Sequence, residues 1–129
     1  MNSNMPFVGA ALRSVLVLDD EGIVLMMLED MLRDLGATQI HAFTDPAKAL
    51  AVAVAAPIDC AILDVMMRGS PSYEVAEVLR GRGVPFVLSS GVRADQLDVR
   101  VRDVVFLDKP FSDAELIASL SKAMGLAAA

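Results

Sequence analysis

The chain has 129 residues, is 55% hydrophobic and carries a formal net charge of −6. That is enough for one domain with a real core, and too acidic for the basic face that direct nucleic-acid binding needs. No apolar stretch is long enough to span a membrane, the N-terminus lacks a signal peptide's basic region and apolar core, and the single cysteine, Cys60, excludes an internal disulfide framework and suits a reducing compartment, so a cytoplasmic location is expected.

Residues 1–12 read as a loose leader punctuated by Asn2, Ser3, Asn4, Pro6 and Gly9, residues 126–129 as a short tail, and 13–125 as the domain. A first strand covers 14–19. A helix over about 21–35 stops at Gly36, which accepts positive φ. A second strand covers about 38–43. Asp45-Pro46 opens the second helix, Asp as N-cap and Pro at the first helical position. Pro57 ends it, because the residue before proline disfavours the helical region. A third strand at 59–64 runs into the loop Arg68-Gly69-Ser70-Pro71 and a helix at about 72–81. A fourth strand covers 84–89, a short or irregular fourth helix 93–102, and a fifth strand 104–107. The last helix, 113–124, opens on a capping box, Ser112 to Glu115, and is followed by Gly125. Strict alternation of strand and helix implies a doubly wound α/β fold, a parallel sheet with helices on both faces.

In such sheets the working site lies beyond the carboxyl ends of the strands. The run Val15-Leu16-Val17-Leu18 stops at Asp19-Asp20-Glu21, and Cys60-Ala61-Ile62-Leu63 stops at Asp64. Ser89-Ser90-Gly91 and Asp108-Lys109-Pro110 follow the next two strands. Acids gathered at one edge repel one another unless a cation holds them. Hard carboxylate oxygens suit Mg2+, which keeps several waters and takes a further anionic ligand, typically phosphate. A carboxylate can itself accept a phosphoryl group, and a lysine and a hydroxyl beside it can hold the phosphoryl oxygens.

Asp19-Asp20, Asp64, Ser90, Phe106 and Lys109-Pro110-Phe111, in this order, resemble the receiver domain of two-component response regulators from about residue 13 to residue 125. The resemblance implies a flavodoxin-like five-stranded sheet of order 2-1-3-4-5 and a cis Lys109-Pro110 bond. It implies that Asp64 takes a phosphoryl group from a histidine kinase or histidine phosphotransfer protein. Asp20 and Asp64 would bind Mg2+ with the main-chain carbonyl of Met66, and Asp19 would act largely through water. Lys109 would pair with Asp64 and then with the phosphoryl group, and Ser90 and Phe106 would form the conformational switch. Such a protein acts by protein contact or as a phosphate relay or sink, as a monomer or weak homodimer.

Some positions depart from that pattern. Met66 is apolar where polar side chains can influence hydrolysis of the phosphoryl bond, so self-dephosphorylation is expected to be slow. The loop after Asp64 lacks the usual Asp-Gly turn, and the shortened 93–102 segment departs from the surface that commonly carries signal output in the family. Phe106 has no hydroxyl, so packing alone would sense its rotation. Ser89 is expected to turn away from Asp64 by strand alternation.

The first helix is expected to bury Ile23, Val24, Met27, Leu28, Met31, Leu32 and Leu35. Leu25 and Met26 then project to solvent, where the resemblance implies docking of the kinase or phosphotransfer helices. Other residues carry plainer readings. His41 is structural or exposed, Cys60 a buried small apolar residue, and most methionines are core.

Two alternatives stand beside the receiver reading. One is a degenerate receiver used as a binding module. The other is an aspartyl-phosphate phosphohydrolase, against which Met66 counts, since such enzymes often place a second acid there. The initial Met1 and short tail favour a stand-alone regulator over a fragment.

Overall fold

The computed structural model describes residues 12–64, 72–90 and 104–125. Five strands, β1 Ser14–Leu18, β2 Gln39–Phe43, β3 Cys60–Asp64, β4 Phe86–Ser90 and β5 Val105–Asp108, form one sheet of order β2-β1-β3-β4-β5. All four pairings are parallel. The helices are α1 Gly22–Asp34, α2 Pro46–Ala55, α3 Tyr73–Gly81 and α4 Asp113–Ala123. The expected fold class and strand order are therefore present. The segment 93–102 lies outside the described residues.

β1 and β3 are buried at every position, because in a doubly covered parallel sheet both faces of a central strand are dry. Alternation sorts the core into two layers. Val15, Val17, Cys60, Ile62, Val87 and Leu107 pack with α1 and α4. Leu16, Leu18, Ala61, Leu63, Phe86 and Leu88 pack with α2 and α3. Leu12 is fully buried in the first layer, so packing reaches into the expected leader.

The chain's punctuation does what its chemistry demands. Asp45 accepts a hydrogen bond from Ala47 N at the start of α2, and Ser112 and Glu115 complete the capping box of α4. Gly36 adopts φ 110° and closes α1, with Ala37 N donating to Leu32 O, the left-handed cap that a Cβ would disfavour. Asp59 accepts from both Arg13 N and Ser14 N at 2.9 Å, fastening the start of β1 beside the start of β3.

The face of α1 differs from the expected one. Leu25, Leu28, Leu32 and Leu35 are buried, with Val24 and Met31 partly so. Ile23 is 83% exposed and Met27 43%, although both were expected inside, and Leu25, expected outside, is 7% exposed. The first turns of α1 are apolar almost all round, so periodicity there did not fix the helix's rotation. The leucine stripe settles it. Met26, 69% exposed, does project to solvent.

Candidate functional site at the carboxyl edge of the sheet

β1 delivers Asp19 to the edge. Its N–H still pairs with Phe43 O, one rung beyond the strand. Its side chain is 1% exposed and engaged at both oxygens: Oδ1 accepts from Glu21 N at 2.9 Å, and Oδ2 accepts from Lys109 Nζ at 2.8 Å. The first contact tightens the turn into α1, and the second crosses to the end of β5. Asp64 ends β3 and is 4% exposed. Its Oδ2 accepts from the same ammonium at 3.2 Å. Lys109 thus bridges two buried carboxylates from different strands, where sequence reasoning assigned it Asp64 alone.

Burial alone would push the Lys109 pKa down. The hydrogen bond to Asp19 and the charges of Asp64 and Asp19 outweigh it, and the net direction is upward from the ordinary lysine value. The ammonium is therefore a fixed cation at neutral pH. It is carried by Lys109-Pro110, whose peptide bond is cis as expected.

Asp19, the half-buried Asp20 and the exposed Glu21 can bring one carboxylate oxygen each to within 4.8 Å of one another. These are hard oxygen donors, and with Asp64 they outnumber the Lys109 ammonium, which bridges only Asp19 and Asp64 among the described residues. That donor set fits Mg2+ in charge and in ligand type. Glu21 was not singled out as a ligand in the sequence. Its position next to the acidic pair was the available signal. Met66 lies outside the described residues.

Three other residues shape the edge. Ser72 is buried, and its Oγ donates to Asp64 O at 2.6 Å, tying the start of α3 to the end of β3. A serine before a helix reads as a cap, yet Ser72 makes no side-chain cap bond to α3, so its bond to Asp64 was not legible. Ser90 closes β4 opposite Asp108. Phe106 pairs with Leu88 and packs, half-buried, on the α2 and α3 layer.

Ser89 corrects an expectation. It is the register partner of Asp64 and shares the alternation of Val87, in the same layer as Ile62. It therefore lies on Asp64's face rather than away from it. Where β4 pairs with β3 decides which serine sits opposite Asp64.

Away from the edge, Cys60 is buried, and burial pushes its thiol pKa up to about 12. It is an inert core residue at neutral pH. His41 lies half-buried on β2, with no hydrogen-bond partner for Nε2 among the described residues.

A lysine thus bridges two buried aspartates at the carboxyl edge of a 2-1-3-4-5 parallel sheet. Residues 15–121 match the response regulator receiver domain family, and the chain belongs to it. It is similar to the transcriptional regulatory protein PdtaR of Mycobacterium tuberculosis, 31% identical over 116 residues, covering 87% of this chain and 57% of that protein. The chain thus spans little more than half the length of that relative. Among solved structures it resembles SdrG from Sphingomonas melonis Fr1, with 40% identity, 89% of this chain, 95% of that one and a TM-score of 0.73. The BeF3-activated conformation of SdrG from Pseudomonas melonis Fr1 matches at 38% identity, 89% and 98% coverage and a TM-score of 0.74. The receiver domain of sensor histidine kinase PA1611 from Pseudomonas aeruginosa PAO1, solved with a magnesium ion in its active-site cleft, shares the fold, with 24% identity, 89% and 99% coverage and a TM-score of 0.75.

Proposed function

We propose that this receiver accepts a phosphoryl group on Asp64 from the phosphohistidine of a histidine kinase or histidine phosphotransfer protein. It then signals by protein contact or passes the phosphate on. The observation that carries this reading is Lys109 Nζ, within 3.2 Å of Asp64 and 2.8 Å of Asp19. It is a permanent positive charge held beside a buried carboxylate.

An Asp64 oxygen attacks phosphorus. The new O–P bond forms as the N–P bond breaks, and the electron pair stays on the imidazole nitrogen, which takes a proton from solvent. Asp20 and Asp64, with the Met66 carbonyl, would hold Mg2+, which supplies charge neutralisation for the carboxylate and the incoming phosphoryl oxygens. Asp19, committed at both oxygens, suits an indirect role through water. Lys109 shifts from the Asp64 carboxylate to a phosphoryl oxygen. The hydroxyl of Ser90 and the ring of Phe106 then form the two-state element that the new charge biases. The apolar Met66 gives an attacking water no hydrogen bond, which favours slow hydrolysis.

The exposed face of α1 supports a docking role for Met26, now with Ile23 and Met27 beside it and without Leu25. These side chains recur at helical spacing next to the acidic edge, where a phosphohistidine must approach.

The test is to incubate the protein with a small phosphodonor and Mg2+ and follow its intact mass. One phosphoryl adduct is expected, absent in Asp64→Asn. Phosphate release over many turnovers without an adduct would point to the phosphohydrolase instead. Neither adduct nor Mg2+ binding would leave a binding module.

A further inference from the structure

Ser72 holds the N-cap position of α3, yet its side chain makes no cap bond to that helix. Asp45 and Ser112, which do cap α2 and α4, have extended backbones with ψ of 119° and 168°. An extended N-cap lets the side chain turn back onto the first N–H groups of its helix. Ser72 has φ −86° and ψ 18° instead. It is 1% exposed, and its Oγ donates to the main-chain oxygen of Asp64 at 2.6 Å. A buried hydroxyl placed to stabilise its own helix is committed to the proposed phosphoacceptor.

The donor is firmly seated. Val75, Ala76 and Leu79 of α3 are buried in the same core layer as Leu63, the residue before Asp64. Ser72 O accepts from Ala76 N at 3.1 Å, so the residue is continuous with the helix. Asp64 is the last residue of β3, and its carbonyl belongs to the planar peptide unit that joins it to Val65. The angle of that plane is ψ at Asp64. Holding the carbonyl therefore holds the backbone from which the carboxylate projects.

We infer, on the receiver reading of Asp64, that Ser72 is a positioning residue for phosphoryl transfer: its hydroxyl fixes the Asp64 main chain so that the carboxylate meets the incoming phosphorus in line.

The test uses the full chain with Mg2+ and acetyl phosphate. The phosphoryl adduct is followed by intact mass over time, well below the thermal midpoint of every variant. Ser72→Ala is expected to slow phosphorylation about tenfold, the scale on which an orienting hydrogen bond behind a reacting group acts. Ser72→Thr, which keeps the hydroxyl, should stay within about threefold of the wild type. Ser14→Ala is the matched control. It removes a hydroxyl that donates to Pro57 O at 2.7 Å, at the opposite edge of the sheet. Its midpoint should fall while its rate stays within about twofold of the wild type. Should Ser72→Ala not fold, Ser72→Cys takes its place with the same expected loss, a thiol being a weak donor. An unchanged rate in the variant without the hydroxyl would overturn the inference. So would a Ser14→Ala as slow as that variant, since the loss would then follow stability, or a Ser72→Thr as slow, since the hydroxyl would then not matter. A wild type that forms no adduct at all would reject the receiver reading itself.

Discussion

Asp19 and Asp64 share one ammonium, and that sharing decides how the site responds to mutation. Lys109 is the counter-charge for two carboxylates that are each nearly dry. Removing it leaves both without that partner, and breaking a buried ion pair by removing one side costs about 3–5 kcal/mol. Lys109→Ala is therefore expected to lower stability in urea by that order without Mg2+, with the gap narrowing as Mg2+ is added. No loss in either condition would mean the bridge contributes nothing.

The pH dependence follows from the same contact. The folded pKa of Lys109 lies above its ordinary 10.5. A group raised on folding contributes stability that is complete below its unfolded pKa and lost as pH rises through the folded one. The stability difference between wild type and Lys109→Ala should thus be flat through neutral pH and shrink only above 10.5. A difference that fell away between neutral pH and that value would contradict the assignment.

At this scale the charged residues were legible, because an acid or lysine ending an apolar strand has few places to go but the edge. The hydroxyls were not. Ser72 and Ser89 are small, common and ambiguous in sequence; which residue Ser89 sits opposite depends on the register of β3 and β4, and the bond of Ser72 depends on how α3 meets the end of β3.

Helix α1 shows the same limit one level up. Its existence and its end at Gly36 followed from turn chemistry, but its rotation did not. Gly22 to Leu28 is apolar at every position after the glycine, so several faces fitted a helical period equally well. The first turn also overhangs the site, so Ile23 stays in solvent while Leu25 reaches the core. The two neighbours should therefore separate cleanly. Leu25→Ala empties a buried site and is expected to cost about 2–5 kcal/mol in denaturant unfolding. Met26→Ala should change stability by no more than about 0.5 kcal/mol while slowing phosphotransfer from a phosphorylated histidine partner. Equal destabilisation by both would put Met26 in the core, and an unchanged transfer rate would remove it from the docking face. Helices α2 and α4 were easier to read, since Asp45-Pro46 and Ser112 with Glu115 fix their starts by hydrogen bonds local in sequence.

For the molecule as a whole, alternation of strand and helix gave the class of fold, and the family resemblance gave the strand order. The order matters because it sets β1 beside β3, so Asp19 and Asp64 become neighbours though far apart in the chain. β5 then brings Lys109 back across β4 to the same edge. Every part of the proposed chemistry depends on that juxtaposition, and its central claim is that Asp64 is where phosphate is carried. The direct measurement is to phosphorylate the protein with a small donor and Mg2+, reduce the acyl phosphate with borohydride, and locate the resulting homoserine by peptide mass spectrometry. The account predicts homoserine at position 64 alone, with none formed when Mg2+ is omitted. Homoserine at position 19 or 20, or an unreduced Asp64 in a protein that has taken up phosphate, would contradict it.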